Sequence, residues 1–192
     1  MRAAGAWKYR WLPGRCRCTV DGVVTVRRFR GADAGMLWAL NALPNIGETA
    51  DPNVPIPLPP AIEAPVNFPD LADVAANFLA ERGEFLVAEL NGHVVGMGGY
   101  RPGADGCAEV LRVRVHPATR RRGIGRALMA ELEGRAARDG LRSMHLDTAT
   151  NQPEAMAFYR GLGYREAGRE CRPGWTWTLV YYVKMLVDID PI

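Results

Sequence analysis

One segment restricts the fold of this chain more than any other: a strand-forming run ends in a short basic loop, and a helix then opens on two glycines. The segment reads Val113-Arg114-Val115-His116-Pro117-Ala118-Thr119-Arg120-Arg121-Arg122-Gly123-Ile124-Gly125-Arg126. A helix N-terminus carries unpaired N–H groups and a partial positive charge, both of which bind anions. Glycine lets a phosphate approach the backbone, and arginines add charged donors. The segment therefore predicts a phosphate cradle at a strand–helix junction.

Three other interpretations of this segment can be weighed on the residues themselves. A solvated basic loop that caps a surface helix is the simplest alternative. A dinucleotide-binding fold needs Gly-x-Gly-x-x-Gly directly after the first strand of a βαβ series, whereas here the third glycine is absent and a hairpin precedes the motif. A Walker A loop needs Gly-Lys-Ser or Gly-Lys-Thr, which does not follow.

The hydrophobic pattern around the segment predicts an α/β (α+β) chain. Strands are expected at 23–26, 84–90, 93–100, 107–115, 142–147 and 175–186, with a further short strand near 164–169, and helices at 33–43, 70–82, 123–138 and 153–162. Asn91-Gly92 lies between two of these strands and predicts a tight hairpin. Residues 44–69 hold eight of the 14 prolines, which predicts a long, stiff loop of the kind that forms lids or binding sites.

Length and composition fit one domain. The chain has 192 residues, 48% of them hydrophobic, which suits a single domain over 23–192. Residues 1–22 lack an apolar period and are predicted to be a disordered extension. The net charge of +3 divides into +7 over 1–30, −8 over 31–100, +5 over 101–142 and −1 over 143–192, which suggests two unlike binding surfaces.

The sequence excludes several broad classes of protein. No apolar run is long enough to cross a membrane, and no apolar region follows the basic residues near the start, so a cytoplasmic location without membrane association is expected. The four cysteines are scattered and there are only three histidines, so no metal site is expected. One of the histidines, His116, precedes a proline and is expected to lie exposed in a turn.

Two sequence blocks resemble a known family. Arg120-x-x-Gly123-x-Gly125 is similar to the Arg/Gln-x-x-Gly-x-Gly/Ala signature of the GNAT superfamily of acetyl-CoA-dependent N-acetyltransferases. A second block resembles that family's Ala-x-x-Phe/Leu-Tyr-x-x-x-Gly-Phe/Tyr helix, and it reads Ala155-Met156-Ala157-Phe158-Tyr159-Arg160-Gly161-Leu162-Gly163-Tyr164. The resemblance covers roughly 23–187. It implies a GNAT fold: a central mixed, mostly antiparallel sheet with splayed strands and helices on both faces.

The resemblance also implies a co-substrate site for acetyl-CoA. The backbone of Arg120, Arg121, Arg122, Gly123, Ile124, Gly125 and Arg126 would hold the pyrophosphate, and the backbone of Val113, Arg114 and Val115 would lie along the pantetheine arm. Asn151 would bond that arm; its alternative role is a helix cap. The family works without a metal, and many members are dimers, which the sequence leaves open here.

Two residues are candidates for catalysis. The resemblance places Tyr159 near the sulfur of CoA, where it could return a proton to the thiolate; packing against the sheet is its alternative role. Strand alternation puts Glu109 in one row with Leu111, Val113 and Val115, and burial in such a row makes a carboxylate a stronger base. Glu109 also matches the position of a glutamate base in some family members. The alternative is a carboxylate paired with an arginine, and a bulge in the strand would undo the alternation.

The resemblance implies acetyl transfer to a primary amine, either of a small molecule or of a peptide or protein. The acceptor itself is not readable, although the acidic charge of residues 31–100 favours a cationic amine. Two rival functions stay open. One is a catalytically inactive CoA-binding protein, and the other is an arginine-rich nucleic-acid-binding module, for which the basic region lacks interleaved aromatic residues.

Overall fold

The computed structural model describes residues 23–44, 53–80 and 82–186. The strands are β1 (Val24–Arg28), β2 (Glu84–Leu90), β3 (His93–Pro102), β4 (Cys107–Val115), β5 (Ser143–Ala149), β6 (Arg165–Glu170) and β7 (Leu179–Met185). The α-helices are α1 (Ala34–Ala42), α2 (Ile124–Arg138) and α3 (Pro153–Gly161). Asn91 and Gly92 both have positive φ and join β2 to β3, so the predicted hairpin is confirmed.

The described strands form one sheet in the order β1-β2-β3-β4-β5-β7-β6. Neighbouring strands are antiparallel except β4 and β5, which are parallel. In the described part of the chain, β4 and β5 are paired only where Cys107, Ala108 and Glu109 meet Ser143, Met144 and His145. Beyond Glu109 the two strands separate. The mixed, mostly antiparallel sheet with splayed strands is therefore as predicted.

Each face of the sheet carries its own hydrophobic core. On one face, α2 and α3 pack against the sheet, with Leu128, Leu132 and Tyr159 among the buried side chains. On the other face, α1 and the segment 53–80 cover the sheet, with Leu40 and Phe78 buried. The alternation of apolar residues along β2 serves both cores, since Leu86 belongs to the first and Val87 to the second. The prediction of helices on both faces is confirmed.

The predicted helix over 70–82 is wrong as a continuous α-helix. A 3₁₀ turn covers Pro69–Leu71 and a short π-helical turn covers Ala75–Leu79. The predicted apolar spacing is nevertheless present. Leu71, Val74 and Phe78 are buried in the core beneath α1, which is the smaller of the two cores. Between the two turns, the side chain of Asp73 accepts the amide hydrogen of Ala76 at 2.9 Å, an N-cap contact with which a new turn begins.

The final strand also differs from its prediction, because it begins at Leu179 and not at 175. Trp175 and Trp177 lie in the loop before it and stack on each other, with ring centroids 3.9 Å apart. The guanidinium of Arg172 lies over the Trp175 ring at 4.8 Å. Aromatic enrichment suggested a strand here, but these rings pack within their own loop.

Some predictions fall outside the described residues. The expected extension over 1–22 is one of them, and the division into an extension and one domain over 23–192 stays a prediction. Within the described ranges, no helix is both long enough and apolar enough to cross a membrane.

Candidate functional site

The splay between β4 and β5 opens the sheet at its centre. Because pairing stops at Glu109 and His145, the edge of β4 beyond Glu109 has no strand partner on the β5 side within the described residues. On its other edge, the end of β4 stays paired with β3, where Val115 lies opposite Gly96. The unpaired edge leaves backbone donors and acceptors of β4 available to an extended ligand.

The N-terminus of α2 adjoins this opening. Gly123 is the N-cap residue, with φ of 79°, and Arg121 has φ of 63°. The first backbone bond into the helix runs from the amide of Ala127 to the carbonyl of Gly123 at 2.9 Å, so the three amides between them have no acceptor inside the helix. The N-terminus of α2 therefore offers three free amide donors to an anionic ligand.

Four arginines of this loop have no carboxylate partner among the described residues. They are Arg120, Arg121, Arg122 and Arg126, of which the last three are exposed. Other arginines of the chain are in ion pairs, as is Arg135 with Glu84 at 2.7 Å. Unpaired cations beside a helix N-terminus suit an anionic ligand such as a pyrophosphate.

Gly125 lets the first turn of α2 pack closely against β4 and α3. A Cβ at this position would lie 3.1 Å from the Phe158 ring and 3.5 Å from Cγ2 of Val115. A larger side chain would therefore force the first turn of α2 away from these neighbours. Close packing at Gly125 fixes where the free amides of that turn lie.

A β-bulge in β4 overturns the predicted row that contains Glu109. Between the pairs Met97–Arg114 and Gly99–Leu111, one residue of β3 faces two residues of β4, and Arg112 has φ of 58°. A positive φ costs a non-glycine residue about 1–2 kcal/mol.

The bulge moves the side chains of β4 to new faces. Val113 and Val115 pack into the core beneath α2 and α3, whereas Leu111 packs into the core beneath α1. Glu109, two residues before Leu111, shares the α1 face with it. The prediction of one row from Glu109 to Val115 is therefore wrong, because the extra residue reverses the alternation.

Asp147 is a candidate site residue that the sequence interpretation missed. It lies on β5 two residues beyond His145, which faces Glu109, so it stands where the strands have separated. Its carboxylate keeps access to solvent, yet the surrounding protein raises its pKa, and repulsion from Glu109 raises it further; Arg112, His145 and Arg172 act in the opposite direction. A polar residue on the open face of a strand whose other face is buried was the available signal.

Tyr159 lies in an aromatic cluster on α3 and β7. Its ring is 5.2 Å from that of Phe158, 5.8 Å from that of Tyr164 and 6.5 Å from that of Tyr182. Burial raises the pKa of Tyr159, and the negative charge of Asp147 raises it further, so the phenol stays protonated at neutral pH. Its hydroxyl has no hydrogen-bond partner among the described residues.

Asn151 follows β5 and stands just before α3. Its Oδ1 atom is buried and has no hydrogen-bond partner among the described residues. The N-cap of α3 is Gln152, so Asn151 does not cap this helix. A buried acceptor without a donor suits a ligand that brings an N–H or O–H group.

Arg114 lies on the α1 side of the bulge. Its Nη1 atom donates a hydrogen bond to the carbonyl of Leu43 at 2.8 Å. Burial, together with the charges of Arg112 and Arg120, lowers the pKa of this guanidinium to about 10. The side chain therefore braces α1 against β4, while its backbone belongs to the unpaired edge.

His116 is fully buried, contrary to the exposed turn expected from its proline neighbour. Its Nδ1 atom accepts the amide hydrogen of Ala118 at 3.2 Å, and Nε2 lies 3.1 Å from the carbonyl of Pro55. The ring is therefore neutral, with its hydrogen on Nε2, and it joins the loop before α2 to the segment 53–80. Burial lowers its pKa, the charge of Arg120 lowers it further, and the hydrogen bond to Pro55 opposes both.

The lowered pKa of His116 predicts a stability that falls on acidification. Below a pH of about 6.5, which is the pKa of His116 in the unfolded chain, the unfolded chain binds a proton that the folded chain does not bind. Stability is therefore lost between that pH and the lower pKa of His116 in the folded chain. The slope is at most about 1.4 kcal/mol per pH unit. Urea unfolding of wild type and His116→Asn should show this loss in wild type only, because Asn retains an acceptor for Ala118. The exposed His93, replaced in the same way, serves as the control, and equal slopes for all three proteins would contradict the prediction.

A metal-binding cluster is not seen in the described part of the chain: no group of three or more His, Cys, Asp or Glu side chains could hold an ion. Cys107 and Cys171 are free thiols.

Comparison with known proteins agrees with this geometry. The model of the acetyltransferase (GNAT) family matches residues 55–164. N-acetyltransferase 8 of Homo sapiens is 36% identical over 106 residues, which is 52% of this chain and 47% of that protein. The chain thus spans about half the length of the curated relatives it matches.

Solved structures share the fold. A GNAT-family acetyltransferase from Staphylococcus aureus Mu50 has a TM-score of 0.68 at 19% identity, covering 85% of this chain and 99% of that one. An aminoglycoside 6'-N-acetyltransferase complexed with coenzyme A has a TM-score of 0.65 at 17% identity, covering 84% and 97%. Because the family model matches more than half of the chain, this protein belongs to the GNAT acetyltransferase family.

Proposed function

We propose that this protein transfers the acetyl group of acetyl-CoA to a primary amine by direct attack in a ternary complex. The observation that carries the proposal is the opening between β4 and β5, bordered by the bare N-terminus of α2 and by Tyr159, Glu109 and Asp147. Family membership and the similar fold of an enzyme solved with coenzyme A support it.

The chain's own groups would hold acetyl-CoA through its backbone. The amides of residues 120–126 bind the pyrophosphate, and the four unpaired arginines of that loop add charge. The unpaired edge of β4 at Val113, Arg114 and Val115 pairs with the pantetheine arm, and Oδ1 of Asn151 accepts a hydrogen bond from it. When bound, acetyl-CoA supplies a thioester whose carbonyl carbon an amine can attack.

The two carboxylates at the splay would prepare the acceptor. An amine must be neutral to attack, so its ammonium form has to lose a proton. Asp147 and Glu109 lie together on the open side of the sheet. Because the pKa of Asp147 is raised, Asp147 is a stronger base than an ordinary aspartate. We assign the removal of this proton to the two carboxylates. The negative charge of Glu109 also attracts the incoming ammonium.

Tyr159 would stabilise the departing sulfur. Because burial holds its pKa well above that of a thiol, complete proton transfer to the thiolate is unfavourable in the ligand-free site. The hydroxyl therefore acts chiefly as a hydrogen-bond donor to the charge that develops on sulfur. Holding the amine and the thioester together supplies a large further part of the rate.

The acidic charge of residues 31–100 contributes less to acceptor choice than its sum of −8 suggests. Asp33, Asp70, Glu84 and Glu89 all pair with arginines of the chain. These four of the nine acidic residues are thus offset by arginines, and Glu109 and Asp147 are the carboxylates that border the splay itself.

Release of free thiol from acetyl-CoA, measured with a panel of amines, tests the proposal. The panel contains cationic, neutral and anionic primary amines and peptides with free N-termini, and products are confirmed by mass spectrometry. Amine-dependent thiol release that is faster for cationic acceptors is expected. Acetyl-CoA binding without release under any amine would favour an inactive CoA-binding protein, and salt-dependent DNA retention without CoA affinity would favour a nucleic-acid-binding module.

A further inference from the structure

The segment 53–71, which lies on the α1 face of the sheet, ends in a buried carboxylate. Leu58 and Leu71 of this segment lie in the smaller core, and the indole nitrogen of Trp38 donates to the carbonyl of Leu71 at 2.8 Å. Asp70 is only 7% exposed. A carboxylate buried to this extent needs a partner, and its partner comes from another element of the fold.

That partner is Arg112, the bulge residue of β4. Its Nε and Nη2 atoms donate to the two oxygens of Asp70 at 2.8 and 3.0 Å, which is a bidentate ion pair. The guanidinium also lies over the Phe68 ring, 4.5 Å from the centroid, and Arg101 approaches Asp70 at 4.0 Å. Two residues of one segment thus hold the side chain of Arg112.

The backbone of Arg112 is in a conformation that arginine adopts reluctantly, with φ of 58°. Nothing in the β3–β4 pairing requires an arginine there, and glycine would suit the angle better. What an arginine side chain adds at this position is its contacts with Asp70 and Phe68. The bulge in turn decides which way the backbone of Val113 and its neighbours faces.

We propose that Asp70 and Arg112 form a positioning tether, through which the segment 53–71 holds the β4 bulge in the form that acetyl transfer requires. This inference rests on the proposed function for its effect on transfer, but not for its effect on the bulge. Because the tether couples the segment to β4, an acceptor that contacts the segment also affects the position of the β4 backbone that faces the thioester. Asp70 and Arg112 touch neither substrate in this account.

A double-mutant cycle tests the tether. Asp70→Asn and Arg112→Gln remove one partner each, and the double variant removes both. We expect each single change to lower kcat for the best amine by about 10-fold, with the Kd for acetyl-CoA within about twofold, because a small misplacement at the reacting centre affects the rate and not the binding. The double variant is expected to be no worse than either single one. Glu63→Gln, which removes an exposed carboxylate from the same segment, is the matched control and should change nothing.

Amide hydrogen exchange of the unliganded variants tests the same tether without any activity. Both single variants should exchange faster in 53–71 and in 110–115. Arg112→Gly, which accepts a positive φ, should exchange faster in 53–71 only and recover part of the kcat lost in Arg112→Gln. Unchanged exchange at 110–115 in Asp70→Asn, or additive effects in the double variant, would overturn the tether. Wild type that acetylates no amine would overturn the proposed function, and the exchange results would still decide on the tether.

Discussion

Replacing Gly125 by leucine should abolish measurable binding of acetyl-CoA while the protein stays folded. A Cβ at this position would already lie 3.1 Å from the Phe158 ring, so a leucine side chain would push the first turn of α2 away from β4 and α3 and displace the amides proposed to bind the pyrophosphate. Losing two charge-assisted hydrogen bonds corresponds to a Kd weaker by about 100-fold or more. Isothermal titration calorimetry with acetyl-CoA measures this directly.

Gly134→Leu on the same helix is the matched control for this variant. Its Cβ would meet only the flexible end of Arg138, at 3.5 Å, so affinity should be unchanged. The Kd of Gly125→Ala for acetyl-CoA should lie between those of wild type and Gly125→Leu, because a single methyl group requires only a small movement of the Phe158 ring. If Gly125→Leu bound acetyl-CoA as wild type does, the phosphate cradle would be placed wrongly.

Replacing Tyr159 by phenylalanine should lower kcat by about 100-fold with little change in the KM for acetyl-CoA. The ring contacts with Phe158, Tyr164 and Tyr182 are kept, and only the hydroxyl is lost. Because that hydroxyl has no hydrogen-bond partner among the described residues, its removal leaves no buried group unpaired. Steady-state kinetics with a saturating amine give kcat and KM separately.

Tyr182→Phe is the control for a general effect of losing a hydroxyl in this cluster. The hydroxyl of Tyr182 is buried without a partner in the described structure, so its removal should leave kcat unchanged and cost no stability. Full kcat in Tyr159→Phe would remove Tyr159 from the mechanism and leave it as a packing residue.

Local signals in the sequence were enough to predict much of the fold, including the junction between β4 and α2. Asn91-Gly92 between two apolar runs favours a tight turn, and it joins the two strands of the predicted hairpin. Gly123 and Gly125 indicate a strand–helix junction because a strand precedes them and an amphipathic helix follows. Both elements lie where the pattern predicted them. Each of these features depends on neighbours that are close in the chain.

The features that were missed depend on residues far apart in the chain. Arg112 has a positive φ in the bulge, and its side chain is held by Asp70, 42 residues earlier in the chain. Without that contact strand alternation is the natural expectation, and it put Glu109 in the wrong row. Asp147 gains its electrostatic environment from Glu109 on another strand, which spacing along the chain does not reveal.

The central claim is that acetyl-CoA lies between the N-terminus of α2 and the unpaired edge of β4. Backbone amide chemical shifts, recorded by NMR during a titration with acetyl-CoA, locate the ligand residue by residue. The account predicts the largest shifts at residues 113–115 and 120–126, with a further change at Asn151. Shifts confined to the opposite face, around α1 and β1, or no shifts at saturating acetyl-CoA, would contradict it.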